Sequence, residues 1–200
     1  MVPLNVPNVL TVIRILLVPV LVVALLEQTS LGDLLAAVVF AAASLTDAID
    51  GYLARSRNSV TNFGKLMDPI ADKLLIVAAL VALVSLNRLE PWVAMVIIAR
   101  EFAVTVLRAG VGAQQRIVIP ASPWGKLKTA TQVLMVMALI AFPNPHPVAV
   151  TVLVYVTVAV TVLSGVDYFF GLRRRLAALG AARATENAGS GPGSARRPGL

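Results

Sequence analysis

Six long apolar stretches, separated by short polar connections, set the pattern of this chain: Val9–Leu26, Leu34–Ala54, Pro69–Leu86, Pro91–Val111, Gly125–Phe142 and Pro147–Phe170. Each holds roughly 18 to 24 residues, enough for a helix to cross about 30 Å of hydrocarbon. The sixth stretch is rich in Val, which favours strand, but its length and continuity favour helix. The first has the length of a signal-peptide core, yet no small-x-small cleavage pattern follows Leu26, so it reads as a retained span. Met1–Asn8, with two prolines and little charge, reads as a short interfacial segment. From Ala177 onward the chain is Ala, Gly, Ser, Arg and Pro with little apolar bulk, the composition of a disordered basic tail lying against lipid headgroups. No internal repeat is visible. The expectation is an all-α integral membrane protein: six transmembrane helices in a membrane domain over residues 1–172, and a basic cytoplasmic tail over 173–200.

Composition agrees. Of 200 residues 58% are hydrophobic and 14% charged, outside the range of soluble domains. The absence of Cys excludes a disulfide framework and a thiolate metal site. The formal charge of +7 raises the question of nucleic acid. The basic residues fall, however, in short clusters between apolar stretches, as in loops beside an anionic membrane leaflet, so the expected partner is membrane lipid and not nucleic acid. Those clusters also fix orientation. The connections Glu27–Asp33, Asn87–Glu90 and Pro143–Pro147 contain one Arg or Lys, Arg88, while Arg55–Lys65, Arg108–Lys128 and the segment after Gly171 hold most of the rest. The positive-inside rule then puts both termini in the cytoplasm.

Candidate chemistry begins at Asp47, which opens the string D-x-x-D-G-x-x-A-R-x8-G-x-x-x-D-x-x-x-D. At about 3.6 residues per helical turn, Asp47, Asp50, Gly51 and Ala54 share one face, and Gly64, Asp68 and Asp72 share another. Gly51 and Ala54 leave little bulk beside the first two acids, so a phosphate-bearing ligand can approach the backbone. Four gathered carboxylates repel one another and call for cations. Hard oxygen donors with no Cys or His nearby point to Mg²⁺ or Mn²⁺, and to two ions more readily than one. A single acid at a helix end would be ordinary; four at these spacings are not. Asp68 has a local alternative, as N-cap of a helix starting at Pro69.

A second set is cationic. Arg100 falls near the middle of its span, where an idle charge is costly, so it should face a cavity or an acid. With Arg108, Lys126 and Lys128 it forms a candidate site for a phosphate dianion. For Lys126 and Lys128 the plainer reading is positive-inside loop charge. His146, the only His, falls in an outer connection as a loop residue, and Trp92 and Trp124 fit interfacial anchors. Asp167 receives no role.

The acidic string resembles the signature of the CDP-alcohol phosphotransferases, integral membrane enzymes that use a cytidine-diphosphate-activated lipid or alcohol. Every defining position of that pattern is filled. The resemblance implies that Asp47, Asp50 and Asp68 bind two divalent ions with the pyrophosphate of the CDP-lipid against them. It also implies that Asp72 is the general base for the acceptor hydroxyl, with some contact to metal. Gly51, Ala54, Arg55 and Gly64 would line the nucleotide pocket, Arg55 near the phosphates. Three further stretches are similar to the bacterial phosphatidylglycerophosphate synthase branch of the family: Asn5–Thr11 with Arg14, Phe63–Lys73, and the region of Arg100 through Gln132. This likeness covers residues 5 to 172. It implies CDP-diacylglycerol as donor and glycerol 3-phosphate as acceptor, with phosphatidylglycerophosphate and CMP as products. It also implies a homodimer in the bacterial inner membrane, its active site facing the cytoplasm. Within the family the rivals are a cardiolipin synthase acting on phosphatidylglycerol and a phosphatidylinositol-phosphate synthase. Outside it stand an aspartate-rich prenyltransferase, which lacks the Gly-x-x-Ala-Arg insertion, and a small transporter, which would not require this spacing.

Overall fold

A computed structural model of the chain describes residues 6–57, 62–115, 123–144 and 146–189, with side chains described outside 6–8, 47–72, 108–124 and 175–189. Six helices follow one another: α1 Val6–Leu26, α2 Ser30–Arg57, α3 Asn62–Ser85, α4 Pro91–Gln115, α5 Pro123–Ala141 and α6 Val148–Gly189. Among the described residues there is no strand, and the Val-rich last stretch is helical.

Two boundaries differ from expectation by more than four residues. α3 starts at Asn62, so Asp68 lies in the helix interior, and its reading as the N-cap is corrected. Pro69 costs the helix about one backbone bond, which its long apolar continuation tolerates, as α1 tolerates Pro19. α6 remains helical to Gly189, past Ala177, where composition placed the onset of the disordered tail. Its Ala, Arg and Glu residues are good helix formers even without an apolar stripe.

The turns at one end are closed by local chemistry. After α1, Gln28 takes the left-handed conformation (φ 52°). Thr29 then caps α2, its hydroxyl accepting from the Gly32 N–H at 3.0 Å and its carbonyl from the Asp33 N–H at 2.8 Å. A Cβ on Gly32 would stand 2.5 Å from the Ala24 carbonyl, so only glycine lets the start of α2 fold back on α1. α3 ends on left-handed Asn87 (φ 55°) in a Schellman arrangement: the Arg88 N–H reaches the Leu83 carbonyl at 2.9 Å and the Asn87 N–H the Val84 carbonyl at 3.0 Å.

These connections are tied to each other. Arg88 donates to both Asp33 oxygens, at 2.7 and 3.0 Å, joining the α3–α4 turn to the first turn of α2. Nε2 of His146 lies 2.8 Å from the Arg88 carbonyl oxygen, and the Asn144 amide donates to the Asn87 carbonyl. His146 therefore pins the α5–α6 connection onto the α3–α4 turn.

α1 packs on α2 and α3, α5 on α2 and α6, and α4 on α3 and α6. Leu21, Leu25, Phe40, Leu80, Leu83, Ile97, Met135 and Leu139 fill the centre. The outside is also apolar: Leu16, Leu31, Met95, Val106 and Val148 are exposed, while Arg14, Glu101, Lys128 and Gln132 are buried. Apolar surface this extensive suits lipid and not water. Among the described residues, two helical segments, Val9–Leu26 and Val148–Arg174, are long and apolar enough to cross a membrane, with shorter apolar runs at Ser30–Thr46 and Lys73–Ser85.

Candidate active site

The acidic string occupies the end of one helix and the start of the next. Asp47, Asp50, Gly51, Ala54 and Arg55 fall on the last turns of α2, and Gly64, Asp68 and Asp72 on the first turns of α3. With both segments helical, the i, i+3 and i, i+4 spacings place the acids of each helix one turn apart, as the sequence pattern required. The side chains of these eight residues lie outside the described set. As a donor set, carboxylates from two helices with no sulfur or imidazole among them fit a hard divalent cation. α1 packs against both motif helices and carries two polar side chains into the bundle, Thr11 and Arg14, each 3% exposed.

One residue beyond the last motif acid, Lys73 enters a buried polar cluster that draws on four helices. At its centre is Glu101 of α4. Its Oε2 accepts from Lys73 Nζ at 3.3 Å, and its Oε1 accepts from Lys128 Nζ of α5 and from Arg100 Nη1 at 3.3 Å. Lys73 also reaches the Glu101 carbonyl at 3.4 Å. Arg100 extends across to α6, where its Nη2 donates to Ser164 Oγ at 2.6 Å. Gly165 makes that crossing feasible, because a Cβ there would lie 3.3 Å from Arg100 Cγ. Three cations thus surround one anion inside an apolar bundle, an arrangement that is costly unless every charge finds partners.

Several polar groups around the cluster remain open. The Arg100 Nε, the Gln132 amide nitrogen and the Thr161 hydroxyl are buried without a hydrogen-bond partner. Gln132 lies one turn from Lys128 on α5, and Thr161 one turn from Ser164 on α6, so both belong to the faces that build the cluster. Buried polar groups are normally satisfied, and a set of them beside surplus positive charge is the mark of a place meant for a polar ligand.

Of the cations singled out from sequence, Arg100 and Lys128 come together, and Arg100 faces an acid as its depth required. Lys126 is exposed, two residues and so over half a turn from Lys128. The side chain of Arg108 lies outside the described residues. Sequence reasoning gave no role to Lys73, Glu101, Gln132, Thr161 or Ser164. Signals for four of them were present: Glu101 is an acid at mid-span, Lys73 adjoins Asp72, and Thr161 and Ser164 recur with Thr157 at helical spacing.

Comparison with known proteins agrees with this architecture. The family model for CDP-alcohol phosphatidyltransferase matches residues 4–163. A CDP-diacylglycerol–glycerol-3-phosphate 3-phosphatidyltransferase of Bacillus subtilis is 41% identical over 184 residues, covering 82% of this chain and 93% of that protein. Proteins of the same name from Rickettsia felis and Haemophilus influenzae are 42% and 37% identical, each match covering 68% of this chain and 75% of the relative. The family match takes in both motif helices, α4, α5 and the first part of α6, ending one residue before Ser164, and the chain belongs to the CDP-alcohol phosphatidyltransferase family.

Proposed function

We propose that the protein transfers the phosphatidyl group of CDP-diacylglycerol to glycerol 3-phosphate, giving phosphatidylglycerophosphate and CMP. The relatives that share about two fifths of its residues over most of its length carry that activity in their names. The observation that carries the acceptor assignment is the excess of cations at part-buried Arg100 and Lys73 and buried Lys128, with Lys73 one residue beyond the acidic string. A phosphate monoester dianion balances it, and open N–H donors remain to bind its oxygens.

In this reading Asp47, Asp50 and Asp68 hold divalent cation, with Asp72 alongside, and Mg²⁺ is the expected ion at two per site. A divalent cation held by these acids would supply positive charge against the pyrophosphate and at the phosphorus under attack. Gly51 and Ala54 keep the helix face flat beneath the nucleotide, Gly64 does the same on the facing element, and Arg55 binds phosphate oxygen. The Asp72 carboxylate takes the proton of the acceptor hydroxyl as that oxygen bonds to phosphorus and CMP leaves. Arg100 and Lys128, joined by Arg108 and Lys126 at the cytoplasmic rim, hold the acceptor phosphate so that its hydroxyl reaches the reaction centre. No covalent enzyme intermediate is needed.

Six membrane crossings, both termini in the cytoplasm, the active site at the inner face of the bacterial plasma membrane and a homodimeric assembly complete the proposal. The apolar exterior and the placement of basic residues support the crossings and the orientation. The homodimer rests on family likeness alone. The test is CMP release by purified protein from CDP-diacylglycerol with glycerol 3-phosphate, phosphatidylglycerol or inositol phosphate as acceptor. Release with glycerol 3-phosphate alone supports the proposal; release with another acceptor and none with glycerol 3-phosphate overturns it.

A further inference from the structure

We propose that Glu101 is the positioning residue of the acceptor site, the shared counter-ion that holds three cations from three helices in one place. The inference rests on the acceptor reading above and assigns a role to a residue outside both the acidic string and the phosphate-binding cations. The geometry is specific. Lys73, Arg100 and Lys128 all have flexible side chains, and like charges brought together on their own would separate or lose protons. Glu101 divides its two oxygens among them, Oε2 to Lys73 and Oε1 to Lys128 and Arg100. Its own side chain is 9% exposed, so the pull on each cation is little screened by water.

Two consequences follow from the charge count. Among the described residues, one carboxylate against three cations leaves two positive charges in excess, the charge of a phosphate monoester dianion. A second buried carboxylate would leave too little charge to bind it. The opposite change, removal of Glu101, leaves the cations more numerous than their partners but no longer fixed. Ser164 anchors Arg100 from the far side, and the open donors of Gln132 and Thr161 lie one helical turn from Lys128 and Ser164. Lys73 gives the arrangement its reach, since it follows Asp72 directly on α3 and so links the acceptor cations to the helix that carries the proton acceptor.

A positioning role is separated from a purely structural one by which Michaelis constant moves. Glu101→Gln keeps the shape and removes the charge. It should raise KM for glycerol 3-phosphate by about tenfold or more and leave KM for CDP-diacylglycerol within about twofold. Glu101→Asp keeps the charge on a shorter arm and should give a smaller rise in the same constant, which serves as the measurement if the Gln variant does not fold. Unchanged KM for glycerol 3-phosphate in the folded variants, or equal rises in both constants alongside a lowered melting temperature, would overturn the role. Lys128→Met, measured in parallel, tests the underlying reading. If it leaves the glycerol 3-phosphate KM unchanged, the acceptor site itself is misassigned. If it raises that KM while Glu101→Gln and Glu101→Asp do not, only the role of Glu101 is lost.

Discussion

At the scale of single residues the structure separates two uses of charge inside an apolar bundle. Arg88 and Asp33 are matched one to one, with two hydrogen bonds and no surplus, which is how a structural ion pair avoids the cost of burial. It also accounts for the single cation in the sparsely charged connections. Replacing either partner alone, as in Arg88→Met or Asp33→Ala, should lower stability toward the low end of about 3–5 kcal/mol, read as a drop in melting temperature in detergent. The double variant should recover much of the loss. Around Glu101, by contrast, cations exceed acids among the described residues, and the proposed acceptor site uses that surplus. The acidic string predicts a third behaviour: Asp72→Asn should abolish CMP release while melting temperature stays constant or rises, because removing one of several crowded carboxylates relieves repulsion. These acids were legible in the sequence because their spacing is itself the signal. Glu101 was not, because one acid beside one arginine does not reveal that lysines from two distant segments, Lys73 and Lys128, converge on it.

At the scale of elements, helix existence was legible throughout and helix ends were not. Long apolar runs announce themselves, but the first turns of α3 are polar, so the sequence placed the start at Pro69 when helix begins at Asn62. The same blindness applies to α6, whose polar C-terminal turns continue a helix of 42 residues, about 63 Å at 1.5 Å per residue. That is about twice the hydrocarbon thickness, so its polar half extends beyond the apolar part ending at Arg174. Deleting residues 177–200 should therefore leave turnover in lipid vesicles unchanged, since the contacts described for the cation cluster involve residues no later than Ser164. The α1–α2 connection carries a sharper prediction. Gly32→Ala forces a methyl against the Ala24 carbonyl, and overpacking of this kind costs about 1–3 kcal/mol. Melting temperature should fall and both Michaelis constants should remain as they are.

At the scale of the whole molecule, the protein is apolar on the outside and keeps its few buried charges between its helices, the arrangement that a lipid solvent selects. One end of the bundle is locked by Arg88, Asp33, Asn144 and His146. The other carries the acidic helices and most of the basic residues. The locked end holds α2, α3 and the α5–α6 connection together, and the proposed active site lies at the opposite end. The account therefore turns on whether the acids of α2 and α3 act together as a cradle for divalent cations. The direct measurement is CMP release from CDP-diacylglycerol and glycerol 3-phosphate by purified protein, first stripped with a strong chelator and then titrated with Mg²⁺, beside the Asp68→Asn variant. The account predicts no release after chelation, full recovery with Mg²⁺ for the native protein and none for the variant. Undiminished release in the chelator, or a variant as active as the native chain, would contradict it.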